Sequence, residues 1–137
     1  MEKKLKREIS ELDEIFNLID DFFARQKLND SGVFAVKLAI EELFTNLVRH
    51  NKGGGEHILF NLDVSNKTIV MSLTDFDVEP FDITRADPVD VSAPLAERTP
   101  GGLGLHLVKS YVDDLNYEYI DRTMRITAIK RLEEKDV

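Results

Sequence analysis

The 137-residue sequence predicts an α+β fold, a two-layer sandwich with about three helices on one face of a mixed or antiparallel sheet. Two stretches of helical period come first, and two pairs of alternating segments follow at a distance. A long aperiodic stretch holding all four prolines separates the two pairs. That order is not the strand-helix-strand repeat of a doubly wound fold.

Residues 3–9 read as a short strand. From Ser10, a candidate N-cap, to about Gln26, the apolar residues Leu12, Ile15, Phe16, Ile19, Phe22 and Phe23 recur at helical spacing. Asn29, Asp30 and Ser31 interrupt this helix and offer caps for a second, from about Gly32 to His50, striped by Val36, Ile40, Leu43 and Leu47. Lys52-Gly53-Gly54-Gly55 ends it. Ile58, Phe60, Leu62 and Val64 alternate with more polar neighbours. After Ser65-Asn66-Lys67 the alternation resumes at Ile69, Met71 and Leu73, which makes a hairpin. Pro80, Pro88, Pro94 and Pro100 mark a loop too long for a simple connection, the length typical of a lid. A third helix follows Gly101-Gly102 with Leu103, Leu107, Val108 and Tyr111, and residues 117–132 read as a second strand pair around Asn116 and Asp121-Arg122.

The totals bound the function. The length suits one domain with one core, so residues 1–137 are expected to form a single unit. Without cysteine there is no disulfide, thiolate metal site or cysteine nucleophile. No apolar run reaches the length of a signal peptide or membrane span, so the expected location is cytoplasmic with no membrane partner. A formal net charge of −8 argues against direct nucleic-acid binding, which needs clustered Lys and Arg. It also requires any bound nucleotide to be held by local donors and a metal ion.

Three features bear chemistry. Glu42, Asn46 and His50 lie on one line of the second helix, at the flank of its apolar stripe; an ordinary amphipathic boundary has the same pattern. Asp75 shares strand parity with Ile69, Met71 and Leu73, so it projects from the buried face and needs a partner there. Such a carboxylate can accept from an exocyclic amine such as that of adenine, or simply turn the strand into its loop. In Glu97-Arg98-Thr99-Pro100-Gly101-Gly102-Leu103-Gly104-Leu105-His106, glycines lead into a helix N-terminus. Free backbone N–H groups and the helix dipole favour a phosphate at such a place. It is neither a Walker loop nor a dinucleotide fingerprint, and the histidines lack metal-ligand spacing.

In their order these segments resemble the boxes of GHKL ATPases. Glu42-Leu43-Phe44-Thr45-Asn46-Leu47-Val48-Arg49-His50 is similar to the N box, residues 75–82 to the first glycine box and residues 98–105 to the second. With Pro80-Phe81-Asp82 following Asp75 in the first glycine box and Glu97-Arg98 preceding the glycines of the second, the chain most resembles the anti-sigma regulatory serine/threonine kinases.

The resemblance implies a Bergerat ATP-binding fold with an ATP lid at about residues 78–102. Asn46 would ligate Mg2+, Glu42 would be the general base, and Arg98 would offset charge on the γ-phosphoryl group. Asp75 would read adenine. Thr99, Gly101, Gly102, Leu103, Gly104 and Leu105 would form the phosphate segment, and Thr127 matches a family position near adenine. The implied activity is ATP-dependent phosphorylation of a STAS-type anti-anti-sigma protein, alternating with sequestration of a sigma factor, by a chain of a kind that often dimerises. Two alternatives share these residues: a nonenzymatic module whose surface is shaped by ATP or ADP, and a kinase switch without a sigma factor. The chain departs from the family pattern at Asp77, where glycine is usual.

Overall fold

The computed structural model describes residues 1–26, 30–50, 55–79 and 102–132. Among these residues eight elements follow in order: β1 (Glu2–Lys6), α1 (Glu11–Gln26), α2 (Asp30–His50), β2 (His57–Ser65), β3 (Thr68–Asp75), α3 (Gly102–Tyr111), β4 (Asp114–Ile120) and β5 (Thr123–Arg131). The strands form one sheet ordered β1-β2-β3-β5-β4, and every neighbouring pair is antiparallel. The predicted α+β architecture holds, with an antiparallel rather than a mixed sheet.

Two hairpins set the register. Asn66 and Lys67 (φ 50° and 60°) close β2 onto β3, and Asp121 and Arg122 (φ 52° and 62°) close β4 onto β5. Both loops have two residues at positive φ, the geometry whose twist matches that of the strands it joins. The backbone carbonyls of these tight turns are used again: Lys67 O accepts from Leu132 N at 2.7 Å, and Arg122 O accepts from Val78 N at 2.9 Å. Asn116, expected near a turn, lies inside β4 opposite Thr127.

Register and alternation divide the sheet into two faces. Leu5, Ile58, Phe60, Leu62, Ile69, Met71, Leu73, Met124, Ile126 and Ala128 share one face and are buried. The other face carries Lys4, Asn61, Ser72, Arg125, Thr127 and Asn116, all half-buried or exposed. The helices cover the first face. Leu12, Ile15, Ile19 and Phe23 of α1 are buried as their spacing predicts, and so are Val36, Ile40, Leu43 and Leu47 of α2, joined by Ala39 and Phe44. α3 departs from its expected stripe: Leu105 and Val108 turn inward, while Leu107 and Tyr111 stay exposed. A ten-residue helix offers too few turns for its period to identify the buried side.

The direction of α2 and α3 over the sheet positions everything that follows. Gly32, near the start of α2, lies so close to Ile69 at the start of β3 and to Leu132 that an added Cβ would meet their side chains at 2.9 and 3.1 Å. From there α2 runs toward the Asp75 end: 21 residues span about 30 Å, slightly more than the 8 residues of β3. Phe34 packs edge-on against Tyr111, with ring centroids 5.0 Å apart, so the start of α2 meets the end of α3 and the two helices run antiparallel. The N-terminus of α3 therefore points to the same end as the C-terminal half of α2. No described helix is long and apolar enough to cross a membrane.

The two faces make a direct test. Phe60→Ala, in the core, should cost about 3–5 kcal/mol, whereas Leu59→Ala, on the half-buried outer face one residue away, should cost about 1 kcal/mol or less. Urea denaturation of both variants measures the contrast, and equal losses would contradict the face assignment.

Candidate functional site

Asp75 ends β3 on the helix face and is wholly buried, opposite Ile58 on one side and Met124 on the other. Burying a carboxylate among such neighbours requires a charge partner. The partner is Arg7, one residue beyond β1, whose Nη2 donates to Asp75 Oδ1. Arg7 Nε donates to the carbonyl of Gly55 at 2.5 Å, and Gly55 N donates to Phe76 O at 2.8 Å. One guanidinium thus ties together the end of β1, the entry to β2 and the end of β3. Nothing in the local pattern around Arg7 marks it out. Its role follows only from the strand order, which sets the end of β1 beside β2 and β2 beside Asp75.

Glu42 and Asn46 sit one turn apart on the half of α2 that runs toward this end. Glu42 is half-buried. Burial pushes its carboxyl above the usual carboxylate range, Glu41 pushes the same way, and Arg49 opposes them. Asn46 is only 9% exposed. No hydrogen bond engages its side chain among the described residues, so its amide oxygen is available to a hard cation. Among the same residues no group of three or more His, Asp or Glu side chains forms a metal cage. A Mg2+ ion held by Asn46 would take its remaining oxygens from phosphate and water, which fits the donors present.

At the same end α3 begins at Gly102, and its first four backbone N–H groups, Gly102 to Leu105, have no intrahelical acceptors. The Leu105 side chain is buried in the core, so its backbone is what it offers to a ligand. Arg98, Thr99 and Gly101 lie outside the described residues, as does most of the expected lid. Thr127 is not brought to this face: Ile126 pairs with Leu73 on the buried side, which leaves Thr127 on the outer face between Ser72 and Asn116. The residue that faces Asp75 from β5 is Met124, fully buried.

Asp77 adopts the left-handed conformation (φ 57°) that glycine would take without strain. Its carboxylate is taken up by Arg122, whose Nε lies 2.9 Å from Asp77 Oδ1 and whose Nη1 lies 3.0 Å from Glu79 Oε1. These bonds hold the Arg122 guanidinium further above its already high range. Tyr119 Oη donates to Val78 O at 2.6 Å. The β4–β5 turn thus clamps residues 77–79, and the charge of Asp77 is compensated where it stands.

A model of the histidine kinase-like ATPase domain matches residues 6–130. The chain belongs to this family. Among curated relatives, the serine-protein kinase RsbW of Bacillus cereus (strain B4264) is 27% identical in an alignment 114 residues long that covers 74% of this chain. RsbW of Bacillus anthracis (strain CDC 684 / NRRL 3495) matches to the same extent. The chain spans 66% of the length of these relatives. Among solved structures, the RsbU and RsbW domains of Rv1364c from Mycobacterium tuberculosis superpose with a TM-score of 0.67. That match has 14% identity and covers 96% of this chain and 32% of the other, so it bears on the fold alone.

Replacing Asp77 with glycine separates the two contributions at the clamp. The variant relieves about 1–2 kcal/mol of left-handed strain and loses an exposed ion pair worth at most about 1 kcal/mol. Its extra unfolded-chain entropy offsets part of the gain. Thermal or urea unfolding should place Asp77→Gly within about 1 kcal/mol of the parent chain; a loss several times larger would mean that the clamp carries more than surface electrostatics.

Proposed function

We propose that this chain is an Mg-ATP-dependent protein serine kinase of the partner-switching kind. The observation that carries the reading is the convergence, at one end of the sandwich, of Glu42 and Asn46 on α2, the buried Asp75 on β3 and the N-terminus of α3. Membership of the histidine kinase-like ATPase family and the kinship to proteins named serine-protein kinase support it.

In this reading Asp75 accepts from the exocyclic amine of adenine, and the backbone N–H groups at the start of α3 receive the phosphates. Asn46 would supply one neutral oxygen to a Mg2+ ion, whose charge would offset that of the phosphates. Arg98, Thr99 and Gly101 complete the phosphate site from the lid, as the family resemblance implies. Thr127, on the outer face, has no part in it.

Glu42, one turn from Asn46, takes the proton from a substrate serine hydroxyl as its oxygen attacks the γ-phosphorus and ADP leaves. A free carboxylate is a weak base at neutral pH. The burial that raises the Glu42 pKa brings it closer to the value a general base needs. The substrate proposed is a STAS-type anti-anti-sigma protein. Its phosphoserine, with a charge of roughly −1.5 to −2, would disrupt docking and release the kinase, as a homodimer, to hold a sigma factor.

Glu42→Gln keeps the size and polarity of the side chain but cannot accept the proton. It should bind Mg-ATP within about threefold of the parent while phosphotransfer falls roughly 10²–10⁴-fold. In the parent chain the transfer rate should fall as pH drops through the raised Glu42 pKa, at a higher pH than an ordinary carboxylate would give, and that limb should vanish in the variant. Transfer that survives intact in Glu42→Gln contradicts the assigned base. Tight Mg-ATP binding by the parent with no transfer to any captured partner would leave a nonenzymatic nucleotide-dependent module.

A further inference from the structure

Arg7 carries more than the neutralisation of Asp75. Two nitrogens of its guanidinium are accounted for, Nε on Gly55 O and Nη2 on Asp75 Oδ1. Nη1 is buried and has no hydrogen-bond partner among the described residues. A guanidinium nitrogen is always a donor, and burying one without an acceptor is costly, so such groups are rare unless something else supplies the acceptor. The orphan sits on the same rigid planar fork as the nitrogen that grips Asp75.

The pair therefore places two complementary functions side by side: a carboxylate that accepts and an N–H that donates. The Watson–Crick edge of adenine presents the matching order, an amine that donates at N6 next to a ring nitrogen that accepts at N1. Hypoxanthine and guanine present the reverse, an oxygen acceptor at position 6 beside an N1–H donor.

We propose that Arg7 is a specificity-determining residue of the nucleotide site, with its Nη1 donating to N1 of adenine while Asp75 accepts from N6. The proposal rests on the reading of Asp75 as the base-recognising residue and adds to it a second contact, supplied by the end of β1. In this arrangement the base is read at two points by one ion pair, and the N-terminal strand becomes part of the ligand site as well as an edge of the sheet.

The test is equilibrium binding by calorimetry of Mg-ATP, Mg-ITP and the Mg complex of 1-deaza-ATP, in which N1 is replaced by C–H. The proteins are the parent chain, Arg7→Met, Arg7→Lys and Asp75→Asn. The parent should bind ATP at least about tenfold more tightly than 1-deaza-ATP, the loss expected when a hydrogen bond from a charged donor is deleted. In Arg7→Met the two nucleotides should bind within about twofold of each other. Should Arg7→Met not fold, Arg7→Lys, which keeps the charge but not the planar fork, should show the same narrowing.

Equal binding of ATP and 1-deaza-ATP by the parent overturns the proposal, as does an undiminished preference in the Arg7 variants. The underlying reading fails separately: an Asp75→Asn variant that still prefers ATP to ITP as strongly as the parent removes Asp75 from base recognition, whatever Arg7 does.

Discussion

A wholly buried carboxylate needs a cation, and at Asp75 that need organises one end of the molecule. Arg7 meets it from beyond the end of β1, reaching past the entry to β2, where it also captures the carbonyl of Gly55. The strand order β1-β2-β3 brings these groups within reach of one side chain. β1 is only five residues long with a single buried side chain, Leu5, so hydrophobic packing alone gives it little hold. Its ladder to β2 and the Arg7 contacts fix it, and the same contacts fix the Asp75 carboxylate.

The antiparallel sheet then decides which residues share that end. Because side chains alternate between faces, placing Leu73 in the core places Asp75 there too, and pairing β3 with β5 puts Met124 opposite it. The helices supply the rest. α2 starts against Ile69 and runs the length of β3, and α3 returns antiparallel to it, so Asn46 and the N–H groups of Gly102 to Leu105 converge where Asp75 is held. An anion would meet the positive end of α3 there, beside a free amide oxygen on α2. The β4–β5 turn clamps residues 77–79 where the chain leaves β3, so that exit is anchored by Arg122 and Tyr119.

Much of this was legible in the sequence. Period-2 alternation located both hairpins, and the helical stripes of α1 and α2 matched the residues that are buried, because long elements repeat their pattern often enough to fix a face. α3 was misread at Leu107 and Tyr111 because it has fewer than three turns. Asp75 could be placed on the buried face from parity with Leu73, and its need for a partner was stated by its chemistry. The partner itself was not legible: Arg7 is distant in sequence and becomes a neighbour only through non-local strand pairing. Thr127 shows the limit of motif carry-over, since a one-residue difference in strand register exchanges the faces of Ile126 and Thr127. At Asp77 the sequence shows only a departure from the family's glycine; its counterion, Arg122, is contributed by another hairpin.

The central claim is that nucleotide occupies the helix-covered face at the Asp75 end of the sheet. Amide chemical-shift mapping, with Mg-ATP titrated into isotopically labelled protein, tests it most directly. The account predicts that the largest shifts fall on Asn46, Gly55, Asp75 to Val78 and Gly102 to Leu105, with smaller ones at Arg7. Shifts concentrated instead on the outer face, at Ser72, Asn116 and Thr127, or the absence of any saturable shift, would contradict it.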